Sequence, residues 1–189
     1  MVLLLYILQW ALIIVFTIIF ILLLIWMWTG FHAKVPFIPV SSSVLSDIYK
    51  ALEIKERSVL YDLGCGEGRV LFYCSNLTPK ATYIGIENSP FPLLLARFRG
   101  WWHKKTTGTK IEIINQDFFH HDLSNATHIF TYLYPNVMDD LLPKFDRELK
   151  PGTRLVSVSF KFTQKQPKLL IDLNRSKYKL ARHIYIYEF

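Results

Sequence analysis

Residues 61–69 read Tyr-Asp-Leu-Gly-Cys-Gly-Glu-Gly-Arg, three glycines at alternate positions behind an acidic residue. The preceding residues 58–63 have the composition of a buried strand, and residues 68–75 that of a helix. A strand that ends in a glycine turn and opens a helix aims main-chain N–H groups and the positive end of a helix dipole at one point. The glycines let a ligand come up against the main chain there. A nucleotide-like cofactor is implied. Two common uses of such a loop do not fit: the dinucleotide fingerprint G-x-G-x-x-G would need glycine where Arg69 stands, and a P-loop would need Gly-Lys followed by Ser or Thr.

Downstream, strand-like and helix-like runs alternate. Strands are predicted over residues 58–63, 82–87, 111–116, 128–133 and 154–160, with helices over 68–75, 92–104 and 137–149 between them. This alternation specifies a parallel α/β sheet covered on both faces. Residues 168–173 and 182–189, on either side of Asn-Arg-Ser-Lys-Tyr-Lys, are predicted to close one edge as an antiparallel pair. Ahead of the first strand, Ser41, Ser42 and Ser43 offer N-caps to a helix over residues 44–54.

The loop matches the pattern Asp/Glu-x-Gly-x-Gly-x-Gly through Asp62, Gly64, Gly66 and Gly68. It resembles motif I of the class I S-adenosylmethionine-dependent methyltransferases, whose Rossmann-like, seven-stranded fold the order of elements over residues 43–189 also resembles. Glu87 stands at the end of the second strand, where a carboxylate can accept hydrogen bonds from both hydroxyls of a ribose. Asp117, in Asn-Gln-Asp-Phe-Phe, resembles the acidic position that takes the adenine amino group, with Phe118 or Phe119 beside the ring. The resemblance thus implies S-adenosyl-L-methionine as cofactor, held by Asp62, Gly64, Cys65, Gly66, Gly68, Glu87, Asn88, Asp117 and Phe118, with Asp62 toward the methionine ammonium.

On the acceptor side, enzymes that methylate base amines or glutamine amides often carry Asn/Asp-Pro-Pro-Tyr after the fourth strand. This chain has Tyr132-Leu133-Tyr134-Pro135 instead, which counts against those substrates. Tyrosine hydroxyls and backbone carbonyls can orient a neutral amine without acid–base machinery, so Tyr132, Tyr134 and Pro135 are the acceptor-side candidates.

Residues 2–28 form an apolar run interrupted only by Gln9 and Thr17, with no charged side chain. As a helix it is roughly 40 Å long, enough to cross a bilayer with tilt. Nothing basic precedes it, and Trp26, Met27 and Trp28 close it where a cleavable signal wants small residues, so it reads as a retained anchor. Lys34, Lys50, Lys55 and Arg57 follow the run, which by the positive-inside rule puts the catalytic domain on the cytoplasmic or equivalent side of a single-pass protein. The expected organisation is an anchor over 1–30, a connector over 31–42 and a catalytic domain over 43–189.

Two cysteines give neither a disulfide framework nor a CxxC metal pair, and His120-His121-Asp122 would point adjacent ligands apart, so no metal is expected. The net charge is +7, with a basic, aromatic stretch at residues 97–105. Beside an anchor this favours an anionic lipid surface over nucleic acid as partner.

The span, the Pro-Phe-Ile-Pro-Val-Ser-Ser-Ser-Val lead-in, the glycine loop, the strand-end glutamate and Tyr-Leu-Tyr-Pro together resemble the membrane-anchored protein-lysine methyltransferases. These are the ATP synthase c-subunit and adenine nucleotide translocase enzymes and their prokaryotic relatives. The resemblance implies methyl transfer to a lysine of a membrane-associated protein. A small-molecule or lipid methyltransferase, or a tethered S-adenosylmethionine-binding module without turnover, would share the cofactor residues.

Overall fold

The computed structural model describes residues 2–32, 38–173 and 181–189, so residues 33–37 of the expected connector and residues 174–180 of the tail lie outside the described residues. The chain divides into two compact units, Met1–Pro36 and Phe37–Phe189. Among the described residues the first contains one helix, α1 (Val2–His32), long and apolar enough over Leu3–Ile25 to cross a membrane. Its apolar side chains face outward on every side, Leu4, Phe16 and Phe20 among them. The Thr17 hydroxyl bonds back to the Ile13 carbonyl at 2.8 Å, so the one hydroxyl in mid-helix is satisfied within the helix.

The second unit is built on a seven-stranded sheet with strand order β3-β2-β1-β4-β5-β7-β6. Its strands are β1 (Val59–Leu63), β2 (Thr82–Ile86), β3 (Ile111–Ile114), β4 (His128–Thr131), β5 (Arg154–Val158), β6 (Leu169–Asp172) and β7 (His183–Glu188). The first five run parallel, and β7 joins β5 antiparallel with β6 outside it, the closing pair expected from the sequence. The central strands are buried along nearly their whole length, as parallel strands covered on two sides must be. The strand order reverses beside β1, and in such sheets the crevice at the carboxyl ends of the strands is where ligands bind.

The two faces are covered unequally. On one face α2 (Leu45–Leu52) and α3 (Arg69–Leu77) pack with Leu60, Tyr83, Phe130, Val156 and Val158 into one apolar cluster, and α4 (Pro90–Thr107) lies beside α3 over β3. Ser157 and Tyr187 alternate with these positions and so face the other way. There the Ser157 hydroxyl lies 4.0 Å from Met138 Sδ of α5 (Pro135–Glu148), and the Phe162 ring stands edge-on to Phe145 and Tyr187. Among the described residues the segment between β3 and β4 holds turns and no helix, so this second face is covered by α5 and irregular chain alone.

Prolines decide two helix boundaries. Helix α4 begins at Pro90 and α5 at Pro135, two residues earlier than the hydrophobic pattern places them, because proline's missing N–H costs nothing in a helix's first turn. The helix after the serines starts with a short 3₁₀ turn, Ser42–Val44, capped by Ser41.

Candidate active site

The loop after β1 is held by main-chain hydrogen bonds. Gly64 N–H and Cys65 N–H both donate to the Ile86 carbonyl, at 2.9 and 3.0 Å, fastening the loop to the end of β2, and Gly68 N–H closes it on Cys65 O at 2.8 Å. Gly64, Gly66 and Gly68 have φ of 71°, 56° and 78°, the left-handed region that only glycine occupies without strain. A Cβ at Gly64 would also sit 3.2 Å from Leu133 Cδ2 and 3.8 Å from Phe118 Cε1, so the turn has room for a ligand's edge only because no side chain is there.

Glu87 is tied to the same turn. One carboxylate oxygen accepts Gly66 N–H at 2.9 Å and the other accepts Ser89 N–H at 2.8 Å, and the residue is 8% exposed. Each oxygen keeps a lone pair for a further donor. Asp62 lies under the turn, 3% exposed, and burial followed by the charge of Glu87 pushes its carboxyl well above the usual carboxylate range. A cation placed beside this buried acid would stabilise its charged form. Asp117 stands three residues beyond β3, where one carboxylate oxygen accepts Phe119 N–H at 3.0 Å, and the Phe118 and Phe119 rings lie 5.1 Å apart. Asn88 is exposed just beyond Glu87.

Cys65 is buried, and a Cβ at Gly85 of β2 would lie 2.7 Å from its Sγ, so the thiol is seated on the sheet and only its main chain faces the loop. Burial raises its pKa, which keeps the thiol neutral and unreactive. Arg69, where a dinucleotide loop would carry glycine, donates to the Val40 carbonyl at 2.8 Å and pairs with Glu67, which also accepts from Arg99 at 2.9 Å. This ties the lead-in, the loop and α4 together. The sequence shows these charges without showing which pair.

The acceptor side is made differently. Tyr132, Tyr134 and Pro135 follow β4, and the Phe160 ring packs against both tyrosine rings, 5.9 Å from Tyr132 and 5.1 Å from Tyr134. The Tyr132 hydroxyl is hydrogen-bonded to Ser159, whose Oγ also accepts Ala181 N–H at 2.5 Å. Ser159 has φ of 67°, a strained conformation for a serine, beside the candidate site. Sequence reasoning misses Phe160, Ser159 and Leu133; a β5 strand running to residue 160 conceals the turn that begins at Ser159. No group of three or more histidine, cysteine or acidic side chains able to hold a metal occurs among the described residues.

Residues 62–169 match the ANTKMT methyltransferase domain family, more than half of the chain. The chain belongs to that family. Among proteins similar to this ANTKMT-family chain, a protein-lysine N-methyltransferase of Saccharolobus islandicus is 29% identical over 80% of the chain and 93% of its own length. The ATP synthase c-subunit lysine N-methyltransferase of Homo sapiens is 26% identical over 70% of the chain, which spans 54% of that protein. A solved RNA methyltransferase of Salinibacter ruber in complex with S-adenosyl-L-homocysteine superimposes with a TM-score of 0.71 at 28% identity, covering 80% of this chain and 93% of that one. The fold is therefore that of the class I methyltransferases and the chain is an S-adenosylmethionine-dependent methyltransferase. The residues present fit that cofactor: a side-chain-free cradle at Gly64, a buried acid at Asp62, and a carboxylate already oriented at Glu87.

Proposed function

We propose that this enzyme methylates a lysine side chain of a membrane-associated protein and is itself held in the membrane by α1. The observation that carries the lysine reading is the similarity to the Saccharolobus islandicus protein-lysine methyltransferase over nearly that protein's whole length. The helix Leu3–Ile25, apolar on every face, supports the anchor, and the lysines after it favour the cytoplasmic or equivalent side for the domain. Relatives whose names specify the c-subunit of ATP synthase or the adenine nucleotide translocase support a membrane protein as acceptor.

When bound, S-adenosylmethionine supplies an electrophilic methyl group on a cationic sulfur. Glu87 would hold the ribose hydroxyls, Asp117 the adenine amino group, and Asp62 with the glycine turn the methionine end. The acceptor amine must arrive neutral. The aromatic and aliphatic lining of Tyr132, Leu133, Tyr134 and Phe160 desolvates it, which disfavours the ammonium and releases its proton to solvent. Burial raises the Tyr132 pKa further above the ordinary phenol value, so its hydroxyl stays protonated at neutral pH and orients the amine rather than deprotonating it. The chain then contributes mainly position and a water-poor surface, and orientation supplies most of the rate.

The Salinibacter ruber neighbour, named for RNA, supports a second reading in which RNA is the acceptor. Incubating the enzyme with tritiated cofactor and native membranes plus total RNA, then separating protein, lipid and RNA, tests both. Label in protein, recovered as methyl-lysine after hydrolysis, is expected. Label in RNA or lipid would replace the lysine reading.

A further inference from the structure

Helix α4 is built to face two environments. Pro92, Leu93, Ala96 and His103 point into the fold. On the opposite side Phe91, Leu94, Phe98, Trp101 and Trp102 are 49–65% exposed. At 3.6 residues per turn these five and Lys105 fall within an arc of about 100°. They are five of the eight large apolar side chains that the described residues of the 37–189 unit leave exposed. The surface is continuous, with Phe98 stacked 6.0 Å from Trp101, Trp101 6.2 Å from Trp102, and Lys105 Nζ 4.0 Å above the Trp101 ring. Arg97 and Lys104 flank one side of the stripe and Arg99 the other, and α4 contains no acidic residue.

We infer that this face of α4 is a membrane-binding surface that lies in the headgroup region of an anionic bilayer. Tryptophan and phenylalanine bury their rings at the boundary of the hydrocarbon, while Arg97, Lys104 and Lys105 meet anionic headgroups; Arg99 is paired with Glu67. An in-plane amphipathic helix carries that arrangement. The chain's own charge pattern selects this occupant over a neutral protein groove, which would leave Arg97, Lys104 and Lys105 unmatched. A second copy of the face would bring like charges together. The inference rests on the anchored reading for proximity, since a span keeps a bilayer within reach of the domain. It adds a function to that reading. Because α4 starts three residues after Glu87, the stripe begins at the cofactor end of the sheet, so lipid contact would bring the catalytic edge toward the membrane surface.

The test uses the full chain in nanodiscs, with a thiol-reactive spin label on Leu94→Cys or, as an aqueous reference, on Lys80→Cys in the turn before β2. The two native cysteines are buried, which confines labelling to the introduced thiol. In discs of phosphatidylcholine with phosphatidylglycerol, the ratio of oxygen to nickel-complex accessibility at position 94 should rise severalfold above that at position 80. It should fall back toward the reference in pure phosphatidylcholine and in the Arg97→Glu/Lys104→Glu/Lys105→Glu variant. A label at position 94 that stays aqueous in incorporated protein overturns the α4 surface while leaving the anchor standing. So does one indifferent to lipid or protein charge, one immobilised only by added RNA, or one broadened by a second copy. A chain that fails to incorporate overturns both.

Discussion

The two edges of the candidate site are held by different forces. The cofactor edge is a lattice of main-chain bonds: Ile86 O to the loop, Gly66 N–H to Glu87, Ser89 N–H to Glu87. The acceptor edge is a packing of rings, Tyr132 and Tyr134 against Phe160, braced by the hydrogen bonds of a strained Ser159. Main-chain geometry imposes strict residue requirements and so leaves a motif; ring packing accepts many residues and leaves little. The first edge would fix what is bound and the second how fast it reacts.

The severest test of the cofactor edge is Gly66→Arg. A φ of 56° strains any residue with a Cβ, and the new side chain fills the turn. Affinity for S-adenosylmethionine is expected to fall by at least roughly a hundredfold, a change of about 2.7 kcal/mol. Calorimetry on protein that circular dichroism shows to be folded would reveal it, and retained binding would mean that the ligand does not approach the turn.

Glu87→Ala removes the proposed ribose partner and also releases the Gly66 and Ser89 amides. Charge-assisted hydrogen bonds of this kind are worth about 1.5–3 kcal/mol each, so the loss of even one lowers affinity by roughly ten- to 150-fold, and at least that is expected. The same titration reads it. Affinity equal to the parent's would break the comparison, because the most strongly braced side chain would then serve the loop alone.

Asp62 makes the cofactor edge sensitive to pH. Its pKa is raised in the folded protein, first by burial and then by Glu87, so just above the ordinary carboxylate range the folded chain still holds the proton that the unfolded chain has lost. This lowers stability as pH rises through the interval between the two pKa values. A cofactor ammonium pairs only with the ionised carboxylate, so binding releases the proton. Below the folded pKa, affinity should drop by about tenfold per pH unit, and it should level off above it. Calorimetry in buffers of different ionisation enthalpy should detect the proton, and Asp62→Asn should flatten the profile. A profile that is flat in the parent chain would remove Asp62 from the ammonium.

The contrast between the edges also explains what is legible in the sequence. All seven strands are visible there, because six are rich in β-branched or aromatic residues and the remaining one, Leu169–Asp172, is an apolar run ahead of Asn-Arg-Ser-Lys-Tyr-Lys. Asp62, the glycines and Glu87 are legible because the turn demands them at fixed spacing. The seat of Cys65 over Gly85 is not, since an isolated glycine in a strand does not say what approaches it. Arg69, Glu67 and Arg99 form their cluster across three segments, a pairing set by tertiary distance rather than by sequence. Phe160 reads as strand because aromatic residues favour strands, whereas the positive φ at Ser159 ends β5 before it.

The division between the edges is tested most directly by Tyr132→Phe, measured for both binding and turnover in the full-length enzyme with a lysine-bearing acceptor. Removing one hydroxyl from the ring cluster leaves its packing on Phe160 intact and takes away the group proposed to orient the amine. The expected result is a fall of about tenfold in kcat with the S-adenosylmethionine Kd unchanged within about twofold. A variant that loses cofactor affinity in proportion to turnover, or that turns over at the parent rate, would contradict the separation of a main-chain cofactor edge from an aromatic acceptor edge.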